Sequence, residues 1–236
     1  MALPKLNDMP KYSVTIPSLK QQVRIRPFVV KEEKILLIAM ESQDPKQIAN
    51  AIIDTIVSCT EDKINPSDLT SYDVEYLFLQ IRGKSVGDKT NLLVKCEECE
   101  GETEVVVDIN DIKIEGEVLP SKIELTDAIS IEMRAPSYDQ IASNDHILGE
   151  GKAMDKIFAV IIQSMDAVLT EDERISFRDI SHKEAVEFLE SMTSEQFSKI
   201  RNYMENQPTV KYNLKFECQH CGHDNERLLE GMQSFF

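Results

Sequence analysis

The stretch Leu93-Val94-Lys95-Cys96-Glu97-Glu98-Cys99 ends an alternating apolar segment with two cysteines that are separated by two residues. The stretch Leu214-Lys215-Phe216-Glu217-Cys218-Gln219-His220-Cys221 repeats this order farther along the chain. A strand that leads into a cysteine pair at this spacing is typical of a zinc knuckle. Two knuckles that face each other supply four thiolates, which complete a tetrahedral metal shell. We therefore predict one structural Zn²⁺ per chain, held by Cys96, Cys99, Cys218 and Cys221.

The two cysteine pairs lie far apart in the sequence. Cys99 and Cys218 are 119 positions apart, which is far more than in an ordinary zinc ribbon, so a large insertion would split the site. Two other interpretations stay open: four reduced thiols in unrelated turns, or a redox-active pair. The redox interpretation is disfavoured because neither pair begins a helix after a strand-helix-strand pattern. His220 and His223 flank the second pair, and either could replace a cysteine in the metal shell.

The charge of the chain limits its partners. Its 236 residues include 42 acidic and 26 basic side chains, which gives a formal net charge of -16. Such a chain is repelled by phosphate backbones and by anionic lipids, so we predict no nucleic acid and no membrane partner. No apolar run approaches the roughly 18 residues of a membrane span, and no apolar secretory segment follows Met1. We expect a protein that is made and kept in a cytoplasm.

The residues that could carry chemistry point to binding rather than catalysis. Four of the five cysteines lie in pairs, which fits metal binding in a reducing compartment better than a disulfide framework. The fifth, Cys59, lies in an apolar segment and is predicted to be a buried, inert thiol. No phosphate-binding loop, serine-hydrolase or zinc-protease motif occurs, and a shell of four thiolates leaves no position for water. We predict no catalytic residue, and interpret the acidic residues as a solvated surface or as a surface for a basic partner.

The N-terminal part of the chain predicts a hairpin and a helical unit. Alternating residues over 12–16 and 22–26 indicate two strands of a β-hairpin. Helix formers and the spacing of apolar residues then predict three helices, over about 31–42, 46–59 and 71–81. The third helix is predicted to be capped by Ser71 and to stop near Gly83.

The rest of the chain changes from strand patterns to a helical pattern and back. Alternating segments predict strands at 90–95, 103–108, within 121–134, and at 209–216. Apolar residues at helical spacing cover about 152–206, with Ile157, Val160, Ile161 and Met165 on one stripe. We therefore predict an α+β fold with three parts: an N-terminal hairpin and helical unit (1–88), a split zinc-ribbon-like β module (89–119 and 208–236), and a large α-rich insertion (120–207).

Four stretches of the sequence carry a family resemblance. They are Leu3-Pro4-Lys5-Leu6-Asn7, then Arg26-Pro27-Phe28-Val29-Val30-Lys31-Glu32-Glu33-Lys34-Ile35-Leu36-Leu37, then Ala39-Met40-Glu41-Ser42, and Tyr76-Leu77-Phe78-Leu79-Gln80-Ile81-Arg82-Gly83-Lys84-Ser85-Val86-Gly87. In this order they resemble the baseplate hub subunit family of T4-like bacteriophages with contractile tails. The resemblance implies a non-enzymatic protein of the virion tail baseplate, assembled in the host cytoplasm among hub proteins, other tail proteins and the tape measure protein. The zinc prediction rests on the cysteines of this chain and not on the resemblance.

Two functional alternatives remain beside a structural baseplate subunit. A transient assembly chaperone would help the hub to form and would be absent from the mature virion. A nucleic-acid-binding zinc ribbon is disfavoured by the charge of -16 and by the lack of a basic surface with aromatic residues.

Overall fold

The fold is a mixture of helices and antiparallel strands. The computed structural model describes residues 9–62, 64–116, 118–137 and 153–235. Its helices are α1 (Val30–Ser42), α2 (Pro45–Cys59), α3 (Ser71–Val86), α4 (Ala153–Ser164), α5 (His182–Glu190) and α6 (Ser194–Glu205). Its strands are β1 (Tyr12–Ile16), β2 (Gln21–Ile25), β3 (Lys89–Lys95), β4 (Glu102–Asp108), β5 (Lys113–Glu115), β6 (Lys122–Glu124), β7 (Ser130–Met133), β8 (Met165–Leu169), β9 (Arg174–Ser176), β10 (Thr209–Glu217) and β11 (Asp224–Glu230). The predicted α+β class is confirmed.

The strands form four small sheets. Strands β1 and β2 pair with each other, as do β3 and β4, while β11, β10 and β5 form a sheet in that order, and β6, β7, β8 and β9 form the fourth. None of the helices in the described ranges is both long and apolar enough to cross a membrane.

The described residues divide into two compact units. One unit contains the residues up to Ile114 together with those from Thr209 onwards, and the other contains the residues between Glu115 and Pro208. The cysteine pairs therefore belong to one unit, although the residues of the other unit separate them in the sequence. The finer division at residues 88, 119 and 208 stays a prediction.

The N-terminal hairpin is confirmed and is tied to α3 by a buried carboxylate. Strands β1 and β2 are antiparallel, with Val14 opposite Val23. Asp73 is fully buried and accepts hydrogen bonds from the backbone N–H and the hydroxyl of Ser18, in the turn of the hairpin, at 2.9 and 2.5 Å. The same carboxylate accepts hydrogen bonds from the N–H and the hydroxyl of Thr70, at 2.9 and 2.7 Å. These four hydrogen bonds satisfy the acceptor oxygens of the buried carboxylate, as burial of a charged group requires.

Helix α3 differs from its prediction at both ends. Its N-cap is Thr70 and not Ser71, because the Thr70 hydroxyl and the Asp73 carboxylate form a reciprocal capping box. The helix also continues past Gly83 and ends at Val86, because Gly87 has the positive φ of 110° that terminates a helix. Gly83 lies buried inside the helix, where a Cβ atom would come within 3.0 Å of Asp88 Oδ1.

One apolar core joins α3 to both strand pairs that carry the cysteines. Its buried side chains come from α3, from β3 and β4, from the turn after β4, and from β10 and β11: Leu79, Leu92, Val94, Val107, Ile109, Ile112, Val210, Leu214 and Leu229. The period of two in β3, with residues 90, 92 and 94 buried, is the pattern expected of a strand with one solvated face. This core fixes the position of the two cysteine turns.

The second unit contains more strand than predicted. The helical spacing over 152–206 predicted helix at Met165, but Met165 begins strand β8, which pairs with β7 and β9. The prediction was wrong over 165–176. A short apolar run fits the helical period as well as the strand period, and pairing with the distant β7 makes this segment a strand. The described part of this insertion therefore combines a four-stranded antiparallel sheet with helices α4, α5 and α6.

Candidate metal centre

Two hairpin loops of equal length present the cysteines. The first loop joins β3 to β4 after the pair Lys95–Glu102, and the second joins β10 to β11 after the pair Glu217–Asp224. In each loop the first cysteine closes the turn in the same way. The N–H of Cys96 donates to the carbonyl of Gly101 at 3.0 Å, and the N–H of Cys218 donates to the carbonyl of His223 at 2.8 Å.

The two loops also share a left-handed residue. The N–H of Glu100 donates to the carbonyl of Cys96 at 3.1 Å, and the N–H of Gly222 donates to the carbonyl of Cys218 at 2.9 Å. Glu100 has a φ of 57° and Gly222 a φ of 72°. Both loops therefore fold as the same knuckle, and this knuckle points its two thiols to one side.

The four sulfur atoms form a compact cluster. They lie within 4.8 Å of one another, with 3.7 Å between Cys96 Sγ and Cys221 Sγ and 3.6 Å between Cys99 Sγ and Cys218 Sγ. A tetrahedral site with metal–sulfur bonds of about 2.3 Å has sulfur–sulfur edges of about 3.8 Å. A disulfide would instead need about 2.0 Å. The spacing of the sulfurs thus fits a metal ion and excludes a disulfide in this arrangement, so the four cysteines could form a metal site.

Backbone donors favour the thiolate form of the first cysteine in each loop. The N–H of Glu98 lies 3.4 Å from Cys96 Sγ, and the N–H of His220 lies 3.4 Å from Cys218 Sγ. Hydrogen bonds from the backbone of Cys221 and of His220 lower the pKa of Cys218 to about 6. A hydrogen bond from the backbone of Cys99 likewise lowers the pKa of Cys96. Such donors stabilise negative charge on sulfur, which is the form that binds a metal.

The second cysteine of the second loop shows the opposite effect. A backbone hydrogen bond from His223 favours its thiolate, but the nearby sulfur of Cys99, desolvation, and the sulfurs of Cys218 and Cys96 oppose it, and the pKa of Cys221 rises to about 12. Like charges at such short distances cannot all be ionised at neutral pH. A bound cation removes this repulsion, because a thiol that coordinates a metal loses its proton. The donor set therefore suits a cation at its centre.

Two polar residues that the sequence analysis missed link the knuckles. Asn225, which is 5% exposed and lies in β11, donates to Cys96 Sγ at 3.6 Å and accepts from the N–H of Glu97 at 3.0 Å, both in the first loop. Thr103, which is 2% exposed and lies in β4, donates to Cys218 Sγ at 3.9 Å and accepts from the N–H of Gln219 at 3.3 Å, both in the second loop. Each hairpin thus supports the cysteine loop of the other.

A signal for these two residues is present in the sequence. Thr103 follows Cys99 by four positions, and Asn225 follows Cys221 by four positions. Superposing the two strand-and-cysteine units on each other would have placed both residues at the same offset. A polar residue on the buried face of both strands would then have indicated a partner for sulfur.

His220 and His223 lie outside the cluster of sulfurs. His220 Nε2 lies 3.0 Å from the carbonyl oxygen of Glu102, to which it donates when this nitrogen carries the hydrogen. The ring also covers Gly101, where a Cβ atom would come within 2.6 Å of His220 Cδ2. The carbonyl of His223 accepts from Cys218 N and from Asn225 Nδ2. Cys59 is fully buried, and burial raises its pKa to about 11, as expected of an inert thiol.

A family model supplies the identity that this geometry alone does not. The model described as "T4 bacteriophage base plate protein" matches residues 9–236. The chain belongs to this family. No curated protein and no solved structure matches this base plate protein.

Membership in the family sets the general role of the chain. A base plate protein is part of the tail of the phage and interacts with other base plate or tail proteins. The family points to a structural protein rather than to an enzyme. The resemblance seen in the sequence is confirmed for a T4-like base plate protein.

Proposed function

We propose that this chain is a structural or assembly protein of the hub of the tail baseplate, which binds other hub and tail proteins. The observation that carries the proposal is the family match over residues 9–236, which covers both compact units and both cysteine loops. Within the base plate, a location in the hub is supported by the stretches that resemble hub subunits. One of them is Tyr76 to Gly87, in and after α3. The tape measure protein is a further partner in this proposal.

We also propose that the four cysteines bind one structural Zn²⁺ in a split, zinc-ribbon-like module. Support comes from the four-sulfur cluster and from backbone donors to Cys96 and Cys218. Thiolates select zinc among the common divalent ions, and a closed shell of four leaves no site for a substrate. The role of the ion is to join two hairpins whose cysteines Cys99 and Cys218 lie 119 positions apart in the chain, and thereby to hold both ends of the insertion.

The hub proposal is tested by finding what the chain binds and where it ends up. A tagged chain is purified from infected cells, and its partners are identified by mass spectrometry; purified virions are analysed in parallel. We expect hub or tail proteins in the purification. Presence in virions at a fixed ratio to other baseplate proteins identifies a structural subunit, whereas absence from virions identifies an assembly chaperone. Recovery of neither partners nor virion protein would refute the hub proposal.

The same purified protein tests the remaining alternative, a nucleic-acid-binding ribbon. With a net charge of -16, we expect no retention on DNA at about 0.15 M salt. Tight, salt-resistant retention would instead favour the ribbon alternative.

The zinc proposal predicts that Cys218→Ser loses the metal. One of four ligands is removed, and the apparent binding free energy of structural zinc sites, roughly 10–16 kcal/mol, is coupled to folding. We expect one zinc per wild-type chain by elemental analysis, and in the variant a loss of zinc, a lower Tm and lower solubility. Cys59→Ala is the matched control, because Cys59 is also buried but lies in α2. Equal zinc content in Cys218→Ser and in the wild type would show that the four cysteines do not share one ion.

A further inference from the structure

Helix α1 exposes most of its apolar side chains. Val30 is 78% exposed, and both Leu37 and Ile38 are 55% exposed. Of the residues of α1, only Glu32 and Ala39 are buried. An apolar surface of this kind on a helix is unusual for a protein that remains alone in water, and it marks a site of interaction.

The face of α1 that points away from the buried residues has a symmetric order. Lys34, Leu37, Ile38 and Glu41 follow at positions i, i+3, i+4 and i+7, which places them on one face of a helix. Two apolar residues stand at the centre of this face, a basic residue stands on the N-terminal side, and an acidic residue stands on the C-terminal side. In the described parts of the chain, neither Lys34 nor Glu41 has an ion-pair partner.

We propose that this face binds a second copy of the chain, as an antiparallel pair of α1 helices related by a two-fold axis. With the axis between Leu37 and Ile38, Leu37 lies opposite the partner's Ile38. Lys34 then lies opposite the partner's Glu41, and Glu41 lies opposite the partner's Lys34.

The charges of this face are complementary to those of a second copy of the chain. A two-fold interface must be complementary to itself, and a face with a basic and an acidic residue at equal distances from its centre meets this condition. A parallel pair would place Lys34 beside the partner's Lys34 and Glu41 beside the partner's Glu41, which is unfavourable. The face is thus self-complementary in the antiparallel direction and not in the parallel one.

The pairing is expected to be weak. A helix of 13 residues is about 20 Å long, so the contact is small beside the roughly 1,200–2,000 Å² of a stable interface. The net charge of -16 on each copy adds repulsion, which salt at about 0.15 M screens beyond about 8 Å. We expect a dissociation constant of roughly 1–100 μM.

The test is sedimentation velocity of the full, zinc-loaded chain from about 1 to about 200 μM at about 0.15 M salt. Wild type should pass from monomer to dimer in this range. Lys34→Glu and Glu41→Lys each place like charges together at both ends of the pair and should weaken the dimer at least about tenfold. The double variant Lys34→Glu/Glu41→Lys restores opposite charges and should return to within about threefold of wild type.

Two further variants complete the test. Leu37→Asp should abolish the dimer, because it puts a charge at the centre of the apolar contact. Lys113→Glu changes the net charge by the same amount on an exposed residue of β5 and should leave the dimer unchanged. A wild-type chain that stays monomeric overturns the proposal and assigns the face to another protein. The proposal is also overturned if the single charge reversals leave the affinity of the dimer unchanged, or if the double reversal does not restore that affinity.

Discussion

Among single residues, Asn225 supports the candidate metal centre without belonging to the four-cysteine cluster. Its side chain donates to Cys96 Sγ, donates to the carbonyl of His223 at 2.9 Å, and accepts from the N–H of Glu97. Each of these groups lies in or next to a cysteine loop. Asn225 therefore fixes the distance between the two loops before any ion is bound.

We predict that Asn225→Ala weakens zinc binding by roughly 10–100-fold, the usual effect of losing a group that orients a ligand. Competition with a chromogenic chelator measures this affinity. Asn213→Ala is the matched control, because Asn213 lies on β10 but is exposed and donates to Glu226 at 2.6 Å. An affinity equal to that of wild type in Asn225→Ala would show that the four thiolates need no support from this side chain.

Glu75 gives the protein a pH dependence of unusual sign. Burial raises the pKa of its carboxyl group, although the backbone of Met232 and of Val210 donates to it and acts in the opposite direction. The folded state therefore holds this proton more tightly than the unfolded state does. Its contribution to the free energy of unfolding is complete below about pH 4.5 and is lost as pH rises through the raised pKa.

We predict that Glu75→Gln gains stability relative to wild type as pH rises, because glutamine keeps an acceptor oxygen and cannot ionise. Urea denaturation at several values from about pH 4 to about pH 8 measures the difference in unfolding free energy. Glu33→Gln, on an exposed residue of α1, controls for the loss of one carboxylate. A difference between Glu75→Gln and wild type that is the same at every pH would contradict the prediction.

Sequence alone identified the cysteines of the candidate site but not their surroundings. The spacing within each cysteine pair is a local feature, so Cys96, Cys99, Cys218 and Cys221 could be named from the chain. The contacts of Cys96 with Cys221 and of Cys99 with Cys218 depend on how two distant hairpins meet, which spacing does not encode. Thr103 and Asn225 were missed because a polar residue in a strand normally faces water.

Among the elements, those with a strong local pattern were predicted and those that depend on distant pairing were not. The hairpin of β1 and β2 and the helices α1 and α2 follow from alternation, helix formers and the Asp44-Pro45 start. Strand β8 was mistaken for helix because its pairing with β7 and β9 is set by the packing of the second unit. The end of α3 was misplaced because two glycines lie close together, and only the second adopts a positive φ.

The knuckle is an element with a defined weak point. Gly222 takes its φ of 72° without strain, whereas any residue with a Cβ atom meets a steric penalty there. We predict that Gly222→Ala destabilises the protein by about 1–2 kcal/mol, measured as a lower free energy of unfolding with zinc present. Glu100→Gly, at the equivalent position of the first loop, should leave the free energy of unfolding nearly unchanged. Relief of the backbone strain at a positive φ offsets the larger conformational entropy that glycine loses on folding. An equal loss in both variants would show that the two loops do not share one conformation.

At the scale of the whole molecule, the metal should stabilise one unit and not the other. All four cysteines lie in the unit that joins the described residues up to Ile114 with those from Thr209. We predict that a chelator increases hydrogen exchange in β3, β4, β10 and β11, while helices α5 and α6 of the other unit keep their protection. Hydrogen exchange with mass spectrometry, with and without chelator, reads out each segment.

Two outcomes would contradict this expectation. Equal loss of protection in both units would show that they unfold together. Unchanged protection everywhere would show that the core around Leu79, Val107 and Leu214 holds the hairpins without metal.

The separation of the two cysteine loops in the sequence also determines when the cluster can form during synthesis of the chain. A ribosome completes Cys99 and must then add 119 residues before Cys218 exists, which takes roughly 6–24 s at about 5–20 residues per second. During this interval the nascent chain can offer only two of the four sulfurs. The four-sulfur cluster can therefore close only after the entire intervening unit has been synthesised, so metal capture would report that translation has passed it.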